Sequence, residues 1–240
     1  MSYLVFAIAL FFSAVNFFSE IMSQRIEKHH SRILSLSAGV FLAYIFLTLL
    51  PEALKSKELL GEAVFPLILA GFIFFHALEK YFYQHVKNKS ELLNDLSWLH
   101  AAGFFLDHFL AGMILFFAAN TDNIITGVII AFPLLLHIIS SSISLTHINE
   151  HFERQKSVLA ALSLAPLAGT LFAAYIDSFP QAYHAFFAVS VGMLLYTVMR
   201  DVVPKEDGST LVFLAGIIIS ILAVAAAKTL AGAGIAGLFF

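Results

Sequence analysis

Long apolar runs alternate with short polar connections along the whole chain. A helix rises about 1.5 Å per residue, so roughly 20 apolar residues cross the ~30 Å hydrocarbon core of a bilayer. We therefore predict an all-α membrane protein. The pattern predicts eight transmembrane (TM) helices: TM1 3–22, TM2 33–54, TM3 63–83, TM4 98–119, TM5 124–147, TM6 157–176, TM7 179–202 and TM8 210–230.

Apart from the Tyr83–Ser97 connection, the loops between these helices are short, which leaves no room for a second folded unit. Residues 1–240 are therefore predicted to form a single transmembrane domain. No Lys or Arg precedes Arg25, so the basic start of a cleavable signal peptide is missing and TM1 is predicted to be retained.

Composition supports the membrane prediction and excludes several classes of function. The chain is 60% hydrophobic and 12% charged, whereas an ordinary soluble domain is about 25% charged. Cysteine is absent, which excludes disulfides, thiolate metal sites and cysteine nucleophiles. The thirteen Lys and Arg are scattered between apolar runs, so the basic patch that nucleic acid would need is missing.

Basic residues concentrate on alternate connections. If the N-terminus is outside, the outer loops carry only Lys55 and Lys57, and the inner connections carry ten basic residues. Because positive loops stay on the cytoplasmic side, we expect both termini outside in a multi-pass protein of the plasma membrane. The ten inner residues are Arg25, Lys28, Arg32, Lys80, Lys87, Lys89, Arg154, Lys156, Arg200 and Lys205.

TM2 and TM7 share a pattern. GVFLAYIFLTLLPE starts at Gly39 and GMLLYTVMRDVVPK starts at Gly192, and each places proline twelve residues after glycine. With the orientation above, one copy ends outside and the other inside, which is typical of the inverted repeats that flank a midplane substrate site in transporters. Coincidence is the alternative, because Gly and Pro are common in membrane helices.

Two titratable positions lie deep in TM4 and TM5. Asp107 lies roughly eight residues into TM4, or about 12 Å along the axis, and His137 lies roughly thirteen residues into the oppositely directed TM5. An unpaired Asp at a helix centre costs about 2.5–3.5 kcal/mol, so Asp107 should have a partner. Asp107, His108 and His137 could reach one level. Neighbours on a helix point about 100° apart, so Asp107 and His108 cannot both aim at one centre without a rotamer compromise.

Further polar residues suggest a route for an ion. Ser140, Ser141, Ser144 and His147 form a stripe along TM5, although each serine could also bond its own backbone or pack against another helix. A pair of histidines four residues apart is by itself a weak metal signal. The predicted route from the outer mouth to the cytoplasm comprises Glu52, Ser144, His147, His151, His100, His76 and Glu79.

Five segments match the helices of one family. GVFLAYIFLTLLPEAL, FHALEKYFYQH and GMLLYTVMRDVVPKED resemble the second, third and seventh helices of the ZIP (Zrt-/Irt-like protein) divalent-metal transporters. DHFLAGMIL lines up with that family's H-N-x-x-D-G-x-A-I-G and HIISSSISL with its H-E-x-P-H-E-x-G-D. The resemblance covers essentially the whole chain. It implies a 3+2+3 arrangement, with TM1–3 and TM6–8 as inverted repeats around TM4 and TM5, and transport of a divalent metal.

The metal site departs from the family pattern. Asp107 and His108 stand where the family has His and Asn, and Ala111 replaces an acid one turn later. His137 is kept, but serines follow it where the family has an acidic and imidazole set. We therefore expect one site rather than a binuclear centre, formed by Asp107, His108 and His137 with water or Ser141. One carboxylate with two imidazoles suits Zn²⁺, Fe²⁺ or Mn²⁺.

Three functions follow as hypotheses. The first is a transporter that moves a divalent cation, with zinc as the first candidate, toward the cytoplasm between TM4 and TM5; the metal is cargo, and neither a cofactor nor an enzymatic activity is expected. The second is a transport-deficient ZIP-like sensor or scaffold. The third is an intramembrane zinc hydrolase, which lacks a clear general base. Expected partners are the cation and the lipid bilayer, and the small-residue face GIIISILAVAAAKTLAGAGIAG could pack within one chain or form a homodimer.

Overall fold

The computed structural model describes residues 3–26, 30–85, 89–119, 131–141, 156–202 and 208–230, and nearly all of these are helical. The helices are α1 Tyr3–Ile26, α2 His30–Tyr44, α3 Leu50–Lys55, α4 Lys57–Leu60, α5 Val64–His85, α6 Lys89–Ala119, α7 Ala131–Ser141, α8 Lys156–Ile176, α9 Pro180–Thr197 and α10 Thr210–Leu230. Two π-helical turns, Ile45–Leu49 and Val198–Val202, extend α2 and α9.

Within the described residues, three helical stretches are long and apolar enough to cross a membrane: Ser31–Leu78, Val158–Ile176 and Pro180–Arg200. The same described part of the chain contains four shorter apolar helices: Val5–Ser19, Ala101–Phe116, Ala131–Ser141 and Thr210–Ala226. The all-helical prediction is thus confirmed, and the apolar helices suit a membrane protein. Six of the predicted spans contain one of these apolar segments, and Ser31–Leu78 overlaps both TM2 and TM3; Gly61, at a φ of 60°, turns the chain between these two.

The two copies of the Gly-to-Pro pattern run antiparallel in the fold. The body of α2 contacts the π turn at the end of α9, and α3, which continues α2, contacts α9 itself. The start of the first copy therefore lies beside the end of the second, and the end of the first lies beside the body of the second. The most extensive helix contacts are those of α2 with α10, α5 with α9, α6 with α8 and α1 with α8.

The π turns occupy equivalent places in the two copies. Ile45–Leu49 lies six to ten residues after Gly39, and Val198–Val202 lies six to ten residues after Gly192. In the first copy the Leu50 N–H donates to the Ile45 carbonyl, five residues back. Pro51 explains this turn, because proline has no N–H for the carbonyl four residues before it and its ring collides with that carbonyl. Pro204 has the matching place in sequence but lies outside the described residues.

Glycines bring the paired helices into backbone contact. A Cβ on Gly39 would collide with the Phe213 carbonyl of α10, and one on Gly192 would collide with the Ile68 carbonyl of α5. The glycines on the partner helices, Gly216 and Gly71, are crowded in the same way. Both lie in the sequence Leu-Ala-Gly, so the partner helices of the two copies share a short pattern as well. In a bilayer the hydrophobic effect does not drive helices together, and small residues allow the close backbone packing that does.

Replacing Gly71 with leucine is expected to destabilise the protein, because the side chain would collide with the Val189 backbone of α9. Overpacking typically costs about 1–3 kcal/mol, and a collision with backbone is relieved less easily than one with side chains. Thermal unfolding in detergent measures the effect. The adjacent Ala70 is exposed, so Ala70→Leu is the matched control and should unfold near the parent temperature. Equal unfolding temperatures for the two variants would contradict the α5–α9 packing.

Candidate functional site

A carboxylate and an imidazole meet in the interior. The Asp107 side chain on α6 and the His137 ring on α7 are 4% and 1% exposed. His137 Nε2 lies 2.5 Å from Asp107 Oδ2. A short bond of this kind is charge-assisted, and it offsets much of the cost of burying the carboxylate. His137 is therefore the partner that a buried Asp107 was expected to have.

Two hydroxyl groups lie near the Asp107–His137 pair at longer distances. Ser141 Oγ lies 3.5 Å from Asp107 Oδ2 and 3.4 Å from His137 Nε2. Thr197 Oγ1 lies 3.4 Å from Asp107 Oδ1. These distances are near the limit for hydrogen bonds, so the two hydroxyls contribute little to holding the carboxylate in this state.

Both copies of the repeat touch the pair. The Phe41 ring of α2 stacks on the His137 ring, with centroids 3.7 Å apart and an interplanar angle of 9°. Thr197 is the last residue of α9 before its π turn. The pair therefore lies where the two antiparallel copies approach each other, and a relative movement of the copies would change its contacts.

Ser140, which lies on α7 between His137 and Ser141, has a structural role. Ser37 Oγ of α2 lies 3.0 Å from the Leu136 carbonyl and 2.8 Å from Ser140 Oγ of α7. Ser140 in turn donates to the His137 carbonyl at 2.9 Å. These bonds connect α2 to α7 and hold the backbone of His137 in place. Of the predicted stripe, Ser140 thus packs helices together, and Ser141 faces the carboxylate.

His108 turns to another part of the interior. Its Nδ1 lies 3.0 Å from Asn16 Nδ2 of α1, and the same Asn16 nitrogen donates to the Leu162 carbonyl of α8 at 2.9 Å. His108 therefore contacts α1 and α8 rather than forming a hydrogen bond with the Asp107–His137 pair. The angle of about 100° between neighbours on a helix accounts for this separation.

Sequence reasoning missed Asn16 and Thr197. Asn16 is fully buried and is the one amide side chain in the apolar run of TM1, which is a signal that could have found it. Thr197 has no such signal, because a threonine in an apolar helix commonly bonds its own backbone, as Thr197 also does to the Leu194 carbonyl at 3.1 Å.

The predicted route is described only in part. Glu52 on α3 is exposed and pairs with Lys55 at 2.8 Å. His76 on α5 is exposed, with its ring 5.9 Å from that of Tyr196. Glu79 and His100 are described by their helical backbone alone. The remaining predicted route residues, Ser144, His147 and His151, lie outside the described residues.

Part of the predicted metal site is brought together in the described structure. Within the described residues, no group of three His, Asp or Glu side chains is arranged to hold a metal ion. The Asp107–His137 pair and its neighbours provide one carboxylate, one imidazole and two hydroxyls, those of Ser141 and Thr197. A carboxylate and an imidazole suit a borderline divalent cation, with hydroxyl or water oxygens filling further positions.

Comparison with known proteins adds no identification. No protein-family model matches the chain, and a search of curated proteins finds no significant match. The ZIP resemblance therefore stays a prediction that rests on the motifs quoted above.

Proposed function

We propose that this chain is a multi-pass membrane transporter for a divalent cation of the zinc, iron or manganese kind. Eight spans with both termini outside would place the Asp107–His137 pair near the middle of the plasma membrane, and the ion would move toward the cytoplasm. One observation carries the proposal: a buried carboxylate–imidazole pair lies between two antiparallel copies of a repeated helix and contacts both. Ionisable residues at membrane depth commonly mark ion pathways.

A cation would bind by replacing the proton between the two side chains. In the short Nε2···Oδ2 bond one hydrogen is shared between two atoms that are both metal ligands. Metal binding requires a free lone pair on Nε2, so in the ion-bound state the ring hydrogen of His137 would be on Nδ1. Ser141 and Thr197 would then supply neutral oxygens from α7 and α9.

Alternating access would use the repeat. Inverted copies can adopt two packings, one open to each side, by rocking about a fixed central site. The π turns begin directly after Tyr44 and Thr197, and local π-helical turns often lie at functional sites. A shift at either turn would move residues that border the pair.

A flux assay across several metals tests the function. The purified protein in liposomes should carry Zn²⁺, Fe²⁺ or Mn²⁺ at a saturable rate, whereas Mg²⁺ and Ca²⁺, which prefer all-oxygen sites, should move more slowly. Empty liposomes give the leak. Rates equal to the leak for every metal would contradict the proposal.

A transport-deficient sensor or scaffold is the second candidate. This candidate is favoured because the metal-binding atoms of the pair are already occupied or covered. Phe41 covers one face of the His137 ring, and His137 Nε2 is hydrogen-bonded to Asp107. In that case the pair is a structural link between α6 and α7. Calorimetry distinguishes the two candidates, because a scaffold predicts no saturable binding of metal and a transporter predicts one site.

A further inference from the structure

The second buried imidazole, His108, has no role in the pair described above. It is 1% exposed and lies next to Asn16, which is fully buried. Asn16 belongs to α1, so this contact joins the first helix to the helix that carries Asp107. A buried amide and a buried imidazole in an apolar bundle constrain each other strongly, because neither can exchange its partner for water.

The Leu162 carbonyl decides which way the Asn16 amide faces. A carbonyl oxygen can only accept, so the Asn16 atom 2.9 Å from it must be the amide nitrogen. The same nitrogen lies 3.0 Å from His108 Nδ1. An amide nitrogen has two hydrogens and no lone pair to offer, so its second hydrogen is donated to His108. His108 Nδ1 must therefore carry a lone pair and no hydrogen.

We propose that Asn16 is a positioning residue that holds His108 in the tautomer with hydrogen on Nε2. With Nδ1 accepting from the amide, the ring hydrogen is on Nε2, which is buried and has no hydrogen-bond partner among the described residues. The ring then has no free lone pair. In sites where histidine binds a metal, the second ring nitrogen donates to a carboxylate or carbonyl; here it accepts instead.

His108 is thereby excluded from the ligands of the cation. This part of the inference rests on the proposed function, and it assigns the site to Asp107 and His137 with the hydroxyls of Ser141 and Thr197. The N–H at Nε2 directs positive partial charge into the interior, which disfavours a cation on that side of α6. The three-residue site expected from the sequence is thus reduced to two strong ligands.

Nitrogen-15 NMR of the whole protein, labelled at histidine, tests the tautomer directly. Protonated and unprotonated ring nitrogens resonate far apart, and His108→Gln identifies the His108 signals by their loss. The expected spectrum has a protonated Nε2 and an unprotonated Nδ1, unchanged when Zn²⁺ is added. Hydrogen on Nδ1, or a His108 signal that shifts with Zn²⁺, would overturn the inference.

A pair of variants tests whether Asn16 is the cause. Asn16→Leu keeps the side-chain size and removes the donor, so the His108 Nδ1 resonance should move as its hydrogen bond is lost. Ser13 is buried one turn earlier on α1, so Ser13→Ala is the control and should leave that resonance in place. An unmoved resonance in Asn16→Leu would refute the role of Asn16.

The tautomer itself is read from the spectrum recorded before Zn²⁺ is added and without a flux assay, so a wrong tautomer leaves the transport proposal standing. Absent flux, conversely, leaves the tautomer assignment standing.

Discussion

Asp107→Asn is expected to reduce saturable cation flux into liposomes by about 100-fold or more. Asparagine keeps the shape and one oxygen that can accept from His137 Nε2, so the fold should persist. It removes the negative charge that balances a divalent ion. Changes to residues that only support a metal ligand cost about 10–100-fold in affinity, and loss of a ligand's charge should reach or exceed the upper end of that range. The assay is initial uptake of the preferred metal.

A matched control separates this effect from a change in surface charge. Glu58 on α4 is exposed, and Glu58→Gln makes the same chemical change away from the interior. It should retain the parent flux. If Asp107→Asn transports as fast as Glu58→Gln, the pair is not on the path of the ion, even where the parent transports metal.

His137→Ala is expected to lower the free energy of unfolding by about 3–5 kcal/mol, because it leaves the Asp107 carboxylate buried without its short hydrogen bond. Removing the ring also leaves a cavity beside Phe41, which adds to the loss. Chemical unfolding in detergent measures the change. His85 on α5 is exposed, and His85→Ala should stay within about 0.5 kcal/mol of the parent, as surface changes usually do.

A double-mutant cycle shows whether the cost comes from the unpaired charge. Asp107→Asn should cost less in the His137→Ala background than in the parent, because in that background the buried charge already lacks its partner. Additive effects of the two substitutions would mean that the side chains stabilise the protein independently. That result would contradict a coupled pair and would leave the cavity as the source of the loss.

The position of Asp107 and His137 along their helices can be predicted from the sequence. The residues that surround the pair cannot. The apolar runs of TM4 and TM5 place Asp107 and His137 at similar distances from the ends of oppositely directed helices, and the structure joins them by a hydrogen bond. Thr197 comes from α9, ninety residues away in sequence. No periodicity along one helix indicates which residue of another helix will face it.

The contacts of His108 could likewise be predicted only in part. As a neighbour of Asp107 on one helix it had to point about 100° away, and this much is local geometry. Which partner it would find there depended on α1 and α8, whose packing brings Asn16 and the Leu162 carbonyl to the ring. The hydrogen bond between Asn16 and His108 could not be predicted from residue type alone.

The amino-acid order alone determined that this protein is built of apolar helices, because hydrophobic run length and the places of Gly and Pro act within a few turns of chain. It also determined that a buried acid needs a partner, since an unpaired charge is too costly in that environment. Only the tertiary structure decided which helices touch and which imidazole meets the acid. Those choices depend on backbone contacts at Gly39 and Gly192 with distant segments, and on hydrogen bonds that exist only once several helices are packed together.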